Sequence, residues 1–290
     1  MNYTTKDLHT AYQEAIDFAK KHYENFPVVS FLIQKKLRKD VAIIYWFART
    51  ADDIADEGEV SVEQRLERLA RFEKRLQNLL NGVFADKYDY ALAETIKERK
   101  LTHSYFFKLL KAFRSDILFK PFQDYADVSG YCNNSANPIG RLLLELHDIR
   151  DEKVLKLSDN ICTALQLTNF YQDFKFDIQK GRNYIPLNDL AKFGLNENNF
   201  TDPVLRSKFC QVVKYQIERT KNLFLDSEDL LKYLPKKLKI EIAWTILSGR
   251  KILGKIESAK YNVLKTRPSV KKYEIISMLI KSYSYAKRFS

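Results

Sequence analysis

One strongly apolar segment runs directly into a cluster of acids: Val41-Ala-Ile-Ile-Tyr-Trp-Phe-Ala48, then Arg49-Thr-Ala-Asp52-Asp53-Ile-Ala-Asp56-Glu57. Asp52 and Asp56 are four residues apart, so on an α-helix their side chains stack on one face. The apolar part is too hydrophobic for a solvated helix. Carboxylates that emerge from a buried helix are costly unless they are paired or bind a metal ion. The segment therefore predicts an interior helix whose acids bind a cation.

A second acidic row follows another apolar stretch: Ile161-Cys-Thr-Ala-Leu-Gln-Leu-Thr168, then Asn169-Phe-Tyr-Gln-Asp173-Phe-Lys-Phe-Asp177. Asn169, Asp173 and Asp177 recur every four residues and so share one helix face. Stacked like charges cost on the order of a few tenths of a kcal/mol per pair unless a cation lies between them. Ligands that are all oxygen favour Mg²⁺ over Zn²⁺. We predict that the two rows face each other across a helical cavity and hold several Mg²⁺ ions, which in turn hold a diphosphate.

The composition narrows the class of protein. Glycine is scarce, with 8 in 290 residues, and no strand–glycine-rich–helix unit occurs, which argues against a P-loop or dinucleotide fold. Cys132, Cys162 and Cys210 lack the spacing of a metal site, which is typical of reduced thiols in the cytoplasm. Helical periodicity dominates and no strand alternation is found, so we predict an all-α fold. No repeats or linkers interrupt it, and we expect a single domain over residues 1–290.

The predicted helices cover residues 5–21, 35–57, 61–81, 88–99, 102–114, 121–148, 153–180, 202–227, 236–265 and 270–287. Within 121–148, Asn137-Pro138 should break or kink the helix, because proline removes a donor and clashes with the preceding turn. The last helix has an apolar stripe, Tyr273, Ile276, Leu279, Ile280 and Tyr283, with lysines elsewhere. Such a helix either lies on a membrane surface or docks on the core, and we favour docking on the core.

The positive charge is concentrated at one end of the chain. The net charge is +12, and Lys232–Ser290 holds 15 Lys/Arg against 3 Asp/Glu, which leaves the rest neutral. Such a flank attracts anionic surfaces, either lipid or nucleic acid, or simply solvates the protein. No apolar run approaches the ~20 residues of a spanning helix, and no signal-peptide core begins the sequence. We therefore expect a cytoplasmic protein whose membrane contact, at the inner surface, is peripheral.

Basic and aromatic residues near the two rows suggest a chemistry. Arg49 lies one turn before Asp52, and Lys180 and Arg182 follow the second row. Mg²⁺ and these cations would stabilise a departing diphosphate and lower the barrier to C–O ionisation. Aromatic faces would stabilise the carbocation by about 0.5–2 kcal/mol each, although core packing is the alternative role for every one of them. The candidates are Phe26, Tyr45, Phe170, Phe176 and Tyr184.

Taken together, these motifs resemble the squalene/phytoene synthase family over nearly the whole chain. They are Tyr45 and Arg49 before Asp52-Asp53-x-x-Asp56, and Gln166-x-x-Asn169-x-x-x-Asp173-x-x-x-Asp177 with Arg182 and Tyr184. The resemblance implies an isoprenoid synthase helical bundle with a central active-site cavity, C15 prenyl chemistry and Mg²⁺ dependence. It assigns the metal to Asp52, Asp56, Asn169, Asp173 and Asp177, with Asp53, Tyr45, Arg49 and Tyr184 also catalytic. It assigns the diphosphate to Arg49, Gln166, Lys180 and Arg182, and the substrate pocket to Phe26, Tyr131, Asn137, Phe170 and Phe176.

Within the family, His22-Tyr-Glu-Asn-Phe-Pro27 and Asn134-Ser-Ala-Asn-Pro-Ile-Gly-Arg141 look most like bacterial hydroxysqualene synthases. Those enzymes ionise presqualene diphosphate and let water capture the rearranged cation without NADPH, as the middle step of a three-enzyme route to squalene and hopanoids. Gln172 and Phe176 stand where relatives that join two farnesyl diphosphates often carry an arginine and an acid. This departure weakens the case for condensation and suggests one diphosphate rather than two.

Three alternatives remain at this point. The first is condensation of two farnesyl diphosphates to presqualene diphosphate, squalene or dehydrosqualene. The second is a non-catalytic, membrane-associated assembly protein working with other enzymes of the pathway, but such relatives tend to lose acids that are intact here. Nucleic-acid binding through the basic C-terminal region is the third alternative. We predict no nucleic-acid partner, because that region looks helical, is interleaved with core-type residues and lacks a reader motif.

Overall fold

The computed structural model describes residues 3–21, 32–58, 60–265 and 267–289, with the side chain of Lys272 excepted. The chain is 76% helical with no strand in these ranges, which confirms the all-α prediction. The α-helices are α1 (Thr5–Lys21), α2 (Arg38–Asp56), α3 (Val62–Leu80), α4 (Lys87–Arg99), α5 (His103–Ile117), α6 (Tyr125–Ser135), α7 (Asn137–Glu145), α8 (Glu152–Gln179), α9 (Leu187–Ala191), α10 (Arg206–Asp226), α11 (Lys236–Ser258) and α12 (Lys272–Ala286). Short 3₁₀ turns cover Lys35–Leu37, Pro203–Leu205, Glu228–Tyr233 and Lys287–Phe289.

Local sequence signals set several helix ends. The Ser61 side chain accepts from the Gln64 amide and the Gln64 side chain accepts from the Ser61 amide, forming a capping box at the start of α3. The predicted helix 121–148 is interrupted at Ala136, so Asn137-Pro138 begins the new helix α7, as the proline rule predicts. The predicted helix 236–265 ends early, at Ser258, because the backbone turns left-handed at Lys260 and Tyr261.

Contacts divide the chain into two compact units, each built from discontinuous segments. Unit 1 comprises residues 1–118 and 138–151. Its core forms around α2, where Phe47 is fully buried with ring centroids 5.2 Å from Phe72 and 5.3 Å from Phe106. Burying an aromatic side chain of this kind contributes roughly 1.5–3 kcal/mol to the free energy of folding. Half of the apolar run before the first acidic row, namely Ala42, Ile43, Ile44 and Phe47, is thus buried in the interior, as the prediction of an interior helix requires.

Unit 2 comprises residues 119–137 and 152–290. Its central helix is α8, which packs against α6, α10 and α11. Gly249 on α11 allows close helix packing, since a Cβ there would lie only 2.8 Å from Cζ of Phe224 on α10. The expectation that residues 1–290 form one domain, with a central cavity, stays a prediction.

The last helix differs from its prediction. α12 packs on α11, and its buried residues are Met278, Ser282 and Ala286. Four residues of the predicted core stripe instead lie on the opposite face and are 44–69% exposed: Tyr273, Ile276, Ile280 and Tyr283. The prediction that this stripe docks on the core is therefore wrong. The helix has two apolar faces, and the one with the small residues serine and alanine allows the closer approach to α11.

Within the described residues, no helix is both long enough and apolar enough to cross a bilayer.

Candidate functional site

The first acidic row occupies the end of α2 in unit 1. Because α2 buries its apolar face, Asp52, Asp53 and Asp56 emerge half-buried at its C-terminal end. This end carries the negative pole of the helix dipole, so acids there are disfavoured by roughly 0.3–1 kcal/mol each unless a cation compensates. No basic residue lies in the last turn of α2. The local electrostatics therefore favour a cation at this row.

Arg49 supplies part of that compensation. Its Nη1 lies 3.1 Å from Asp52 Oδ2, its Nε 2.6 Å from Asp53 Oδ1, and its Nη2 2.9 Å from Glu57 Oε1. The guanidinium thus ties three carboxylates together in a planar fork, an arrangement suited to arginine and not to lysine. The spacing of three and four residues along α2 brings Asp52 and Asp53 within reach of Arg49.

The second acidic row runs along α8 in unit 2. Gln166, Asn169, Asp173 and Asp177 are all half-buried and recur at helical spacing, so they form one polar line along the helix. Asp177 lies in the last turn, which again has no basic residue. The helix ends at Gln179; Gly181, two residues on, has φ of 75°, and the Arg182 amide donates to the Asp177 carbonyl at 2.8 Å.

The partner of Asp173 comes from far along the chain. Arg267, between α11 and α12, donates from Nη2 to Asp173 Oδ2 at 3.1 Å and from Nε to Oδ1. Nothing in the local sequence could have pointed to this residue, which lies 94 positions away. Its membership of the basic C-terminal region was the only available signal. Each acidic row therefore contains an aspartate that pairs with an arginine.

An aromatic cluster brings together three of the predicted site residues in unit 2. The rings of Phe170 and Tyr184 stack in parallel with centroids 3.9 Å apart, and both are buried. Tyr131 lies 5.8 Å from Phe170 and 6.2 Å from Tyr184. Phe119 and Phe122, which sequence reasoning missed, pack on Tyr184 at 5.2 and 6.1 Å. The buried rings form one aromatic cluster, in which a face of Phe170 is already stacked on a face of Tyr184.

The remaining predicted residues have separate surroundings. Asn137 is buried, accepts from Thr163 Oγ1 at 3.0 Å and donates to Asn133 at 2.8 Å. Tyr45, on α2, lies 6.2 Å from Phe18 between ring centroids. Phe176 is exposed, and Lys180 is exposed just past α8. Phe26 lies outside the described residues.

The donor set fits a hard divalent cation. The rows offer carboxylate and amide oxygens, the ligands that Mg²⁺ prefers. Among the residues described, no three His, Cys, Asp or Glu side chains already converge as a metal-binding group. Arginines 49 and 267 now hold carboxylates of the two rows. A cation that binds Asp52 or Asp173 would thus meet a carboxylate already paired with a guanidinium group.

Comparison with known proteins identifies the family: residues 19–274 match the profile of squalene/phytoene synthases. The chain belongs to the squalene/phytoene synthase family. Among similar members, the hydroxysqualene synthase of Zymomonas mobilis is 30% identical over 224 residues, 76% of this chain and 74% of that protein. Phytoene synthase 2, chloroplastic, of Oryza sativa is 27% identical over 285 residues, which are 96% of this chain and 71% of that protein. The crystal structure of a squalene synthase from Alicyclobacillus acidocaldarius has a TM-score of 0.81 and 30% identity, covering 89% of this chain and 97% of that one.

Membership confirms several predictions at once. The fold is the all-α isoprenoid synthase fold, and the chain is a prenyl-diphosphate-processing enzyme of isoprenoid biosynthesis. Squalene/phytoene synthases generally use a divalent metal with their diphosphate substrates. Because phytoene synthases and a hydroxysqualene synthase are similarly close, membership alone does not assign the product.

Proposed function

We propose that this squalene/phytoene synthase is a hydroxysqualene synthase. The C–O bond of presqualene diphosphate breaks, its electron pair leaves with diphosphate, and the rearranged cation is captured by water, which loses a proton. The products are hydroxysqualene and diphosphate, and no reductant such as NADPH is consumed. The observation that carries the proposal is Gln172, a neutral side chain that is 3% exposed and donates to the Pro268 carbonyl at 2.8 Å. Position 172 therefore adds no cation for a second diphosphate.

The residues take distinct roles in this reaction. Mg²⁺, held by Asp52, Asp56, Asn169, Asp173 and Asp177, would supply positive charge to the leaving diphosphate. Arg49, Gln166, Lys180 and Arg182 would donate hydrogen bonds or positive charge to a diphosphate, and Asp53 forms an ion pair with Arg49. Tyr131, Phe170 and Tyr184 exclude water from the prenyl chain and offer outer ring faces to the cation. The assignment of Phe26, Tyr45, Asn137 and Phe176 to the substrate pocket stays a prediction.

The alternative reaction has support of its own. Phytoene synthases match 96% of this chain, more of its length than the hydroxysqualene synthase does. Condensation of two farnesyl diphosphates is therefore the second candidate, and the products would be presqualene diphosphate, squalene or dehydrosqualene. A non-catalytic assembly role is less well supported, because both acidic rows are intact and each is paired with an arginine.

Product analysis separates the two reactions. Purified protein is incubated with Mg²⁺ and either presqualene diphosphate or farnesyl diphosphate, without NADPH. We expect hydroxysqualene from presqualene diphosphate and no product from farnesyl diphosphate. Chelation of the metal should abolish the product, because the leaving diphosphate then lacks its main charge stabilisation. Presqualene diphosphate or a C30 hydrocarbon formed from farnesyl diphosphate would contradict the proposal and establish condensation.

The same enzyme is proposed to contact an anionic membrane surface from the cytoplasmic side through α12. Its exposed apolar residues, Tyr273, Ile276, Ile280 and Tyr283, lie beside three exposed basic residues, Lys281, Lys287 and Arg288. Apolar side chains can enter the headgroup region while the basic ones pair with anionic lipids. A prenyl substrate and product are themselves apolar, and the pathway enzymes that make presqualene diphosphate and consume hydroxysqualene would meet them at the same surface.

Replacing Ile276 and Ile280 by serine should weaken this contact. Partial burial of each side chain in the interface contributes about 1 kcal/mol, so we expect the double variant to bind anionic liposomes roughly tenfold or more weakly. Co-sedimentation with vesicles of mixed phosphatidylserine and phosphatidylcholine measures this, and added salt should weaken the wild type too. Val204→Ser, an exposed apolar residue of unit 2 outside α12, is the matched control. Equal partitioning of all three proteins would contradict the proposal.

A further inference from the structure

Three side chains of α8 converge on one dipeptide, Arg267-Pro268, in the link between α11 and α12. Asp173 accepts two hydrogen bonds from the Arg267 guanidinium, one to each carboxylate oxygen. The Gln172 amide group donates to the Pro268 carbonyl at 2.8 Å. The Phe176 ring centroid lies 5.7 Å from Cζ of Arg267, within cation–π distance. We call these contacts of Gln172, Asp173 and Phe176 with Arg267-Pro268 the clasp.

The following residue is anchored as well. Lys255 of α11 donates to the Ser269 carbonyl at 2.6 Å and to Glu274 Oε2 at 2.5 Å. The hydrogen bond from Lys255, together with that from the Lys271 amide, lowers the pKa of Glu274 to about 2, so this carboxylate stays charged. The link 267–269 is therefore fixed on both sides of Pro268. Arg267 reaches Asp173 from a backbone that α8 and α11 hold in place.

In the clasp, Gln172 and Phe176 both hold the segment that carries Arg267. Neither side chain carries charge, and each contacts the segment that delivers the arginine to Asp173, one at its backbone and one at its guanidinium. Gln172 is buried while Arg267 is half exposed, so the hydrogen bond to Pro268 is the better shielded of the two anchors. The pair would therefore favour the orientation in which both guanidinium bonds to Asp173 form.

We propose that Arg267 is a resident counter-ion of Asp173, that Gln172 and Phe176 are its positioning residues, and that a divalent cation must displace it to bind the second acidic row. The inference rests on the proposed function only in taking Asp173 as a metal ligand. Both Asp173 oxygens are engaged by Arg267, and a divalent cation at the same oxygens would meet the guanidinium charge at close range. In the absence of substrate, Arg267 thus weakens cation binding and balances the negative charge of Asp173.

Calorimetric titration of the full chain with Mn²⁺, without substrate, tests the clasp. Arg267→Gln should tighten cation binding about fivefold, the scale of a partly exposed ion pair. Gln172→Met, which keeps the length but cannot donate to Pro268, should tighten binding about twofold by loosening the arginine. Arg267→Lys keeps the charge but loses the two-bond fork, so its cation affinity should lie between those of the wild type and Arg267→Gln. Lys214→Gln is the matched control, because it removes one positive charge of unit 2 from an exposed pair with Glu218, outside the clasp.

Asp173→Asn distinguishes a failure of the clasp from a failure of the proposed metal role of Asp173. If this variant binds Mn²⁺ more weakly while Arg267→Gln binds it as the wild type does, the clasp is wrong and the metal row stands. If Asp173→Asn leaves Mn²⁺ binding unchanged, the metal role of Asp173 fails, and the clasp fails with it. Tightening in Arg267→Gln and Gln172→Met, but not in Lys214→Gln, supports the clasp whichever prenyl diphosphate the enzyme uses.

Discussion

Replacing Asp52 or Asp173 by alanine is expected to lower kcat about a hundred- to a thousandfold, because each variant loses charge stabilisation of the leaving diphosphate. The fold should tolerate both changes. The two side chains are half-buried and removing either opens no apolar cavity. Each variant also relieves repulsion between acids four residues apart. In Asp52→Ala, Arg49 still pairs with Asp53 and Glu57. In Asp173→Ala, Arg267 loses its carboxylate partner.

The measurement pairs product formation with thermal unfolding followed by circular dichroism. Glu218→Ala removes one acid from the exposed surface of α10 and controls for the change in net charge. We expect that control to keep wild-type turnover and all three variants to unfold within a few degrees of the wild type. Near-normal turnover in either aspartate variant would remove that residue from the metal-binding row. A large loss of thermal stability would instead assign it a structural role.

The largest loss of stability is expected at a different aspartate, Asp189 on α9. It is buried and accepts hydrogen bonds from Arg219 Nη1 at 2.9 Å, Lys192 Nζ at 2.8 Å and Gln216 Nε2 at 2.9 Å. Arg219 also lies over the Tyr125 ring at 4.3 Å. Asp189→Asn removes the negative charge and leaves the largely buried Arg219 without its carboxylate. We expect the free energy of unfolding to fall by about 2–4 kcal/mol.

The pH dependence of stability gives this prediction a second readout. Burial raises the pKa of Asp189, but the hydrogen bonds from Arg219, Lys192 and Gln216 outweigh burial and bring the pKa below its ordinary value of 3.8. A lowered pKa stabilises the fold above 3.8, and this contribution is lost as the pH falls through the pKa of the folded state. Urea unfolding at pH 7 and at pH 3.5 should therefore show a smaller pH effect in Asp189→Asn than in the wild type.

Asp229→Asn is the control for both measurements. This exposed acid pairs with Lys232 at 2.8 Å, and such surface pairs contribute about 0–1 kcal/mol. If Asp189→Asn costs no more than this control, the network around Arg219 does not stabilise the fold. Identical pH profiles for Asp189→Asn and the wild type would contradict the linkage argument even if the overall stability falls.

Features that depend on neighbouring residues were predictable from the sequence. The capping box at Ser61 and the break at Asn137-Pro138 follow from side-chain and backbone rules that act within a few residues. The pairing of Arg49 with Asp52 and Asp53 follows equally from the helical repeat. The end of α11 was missed because Lys260 and Tyr261 are left-handed without glycine, which no composition rule predicts.

By itself, the sequence determined that the chain is all-α, that its acids form two rows on helices, and that it resembles the squalene/phytoene synthases, because period and spacing fix which side chains share a helix face. The tertiary structure alone decided which of two apolar faces α12 buries, and that Arg267 is the counter-ion of Asp173. Both depend on packing between separate segments of the chain. Local propensity carries no information about such contacts, since their free energy comes from the partner surface rather than from the segment itself.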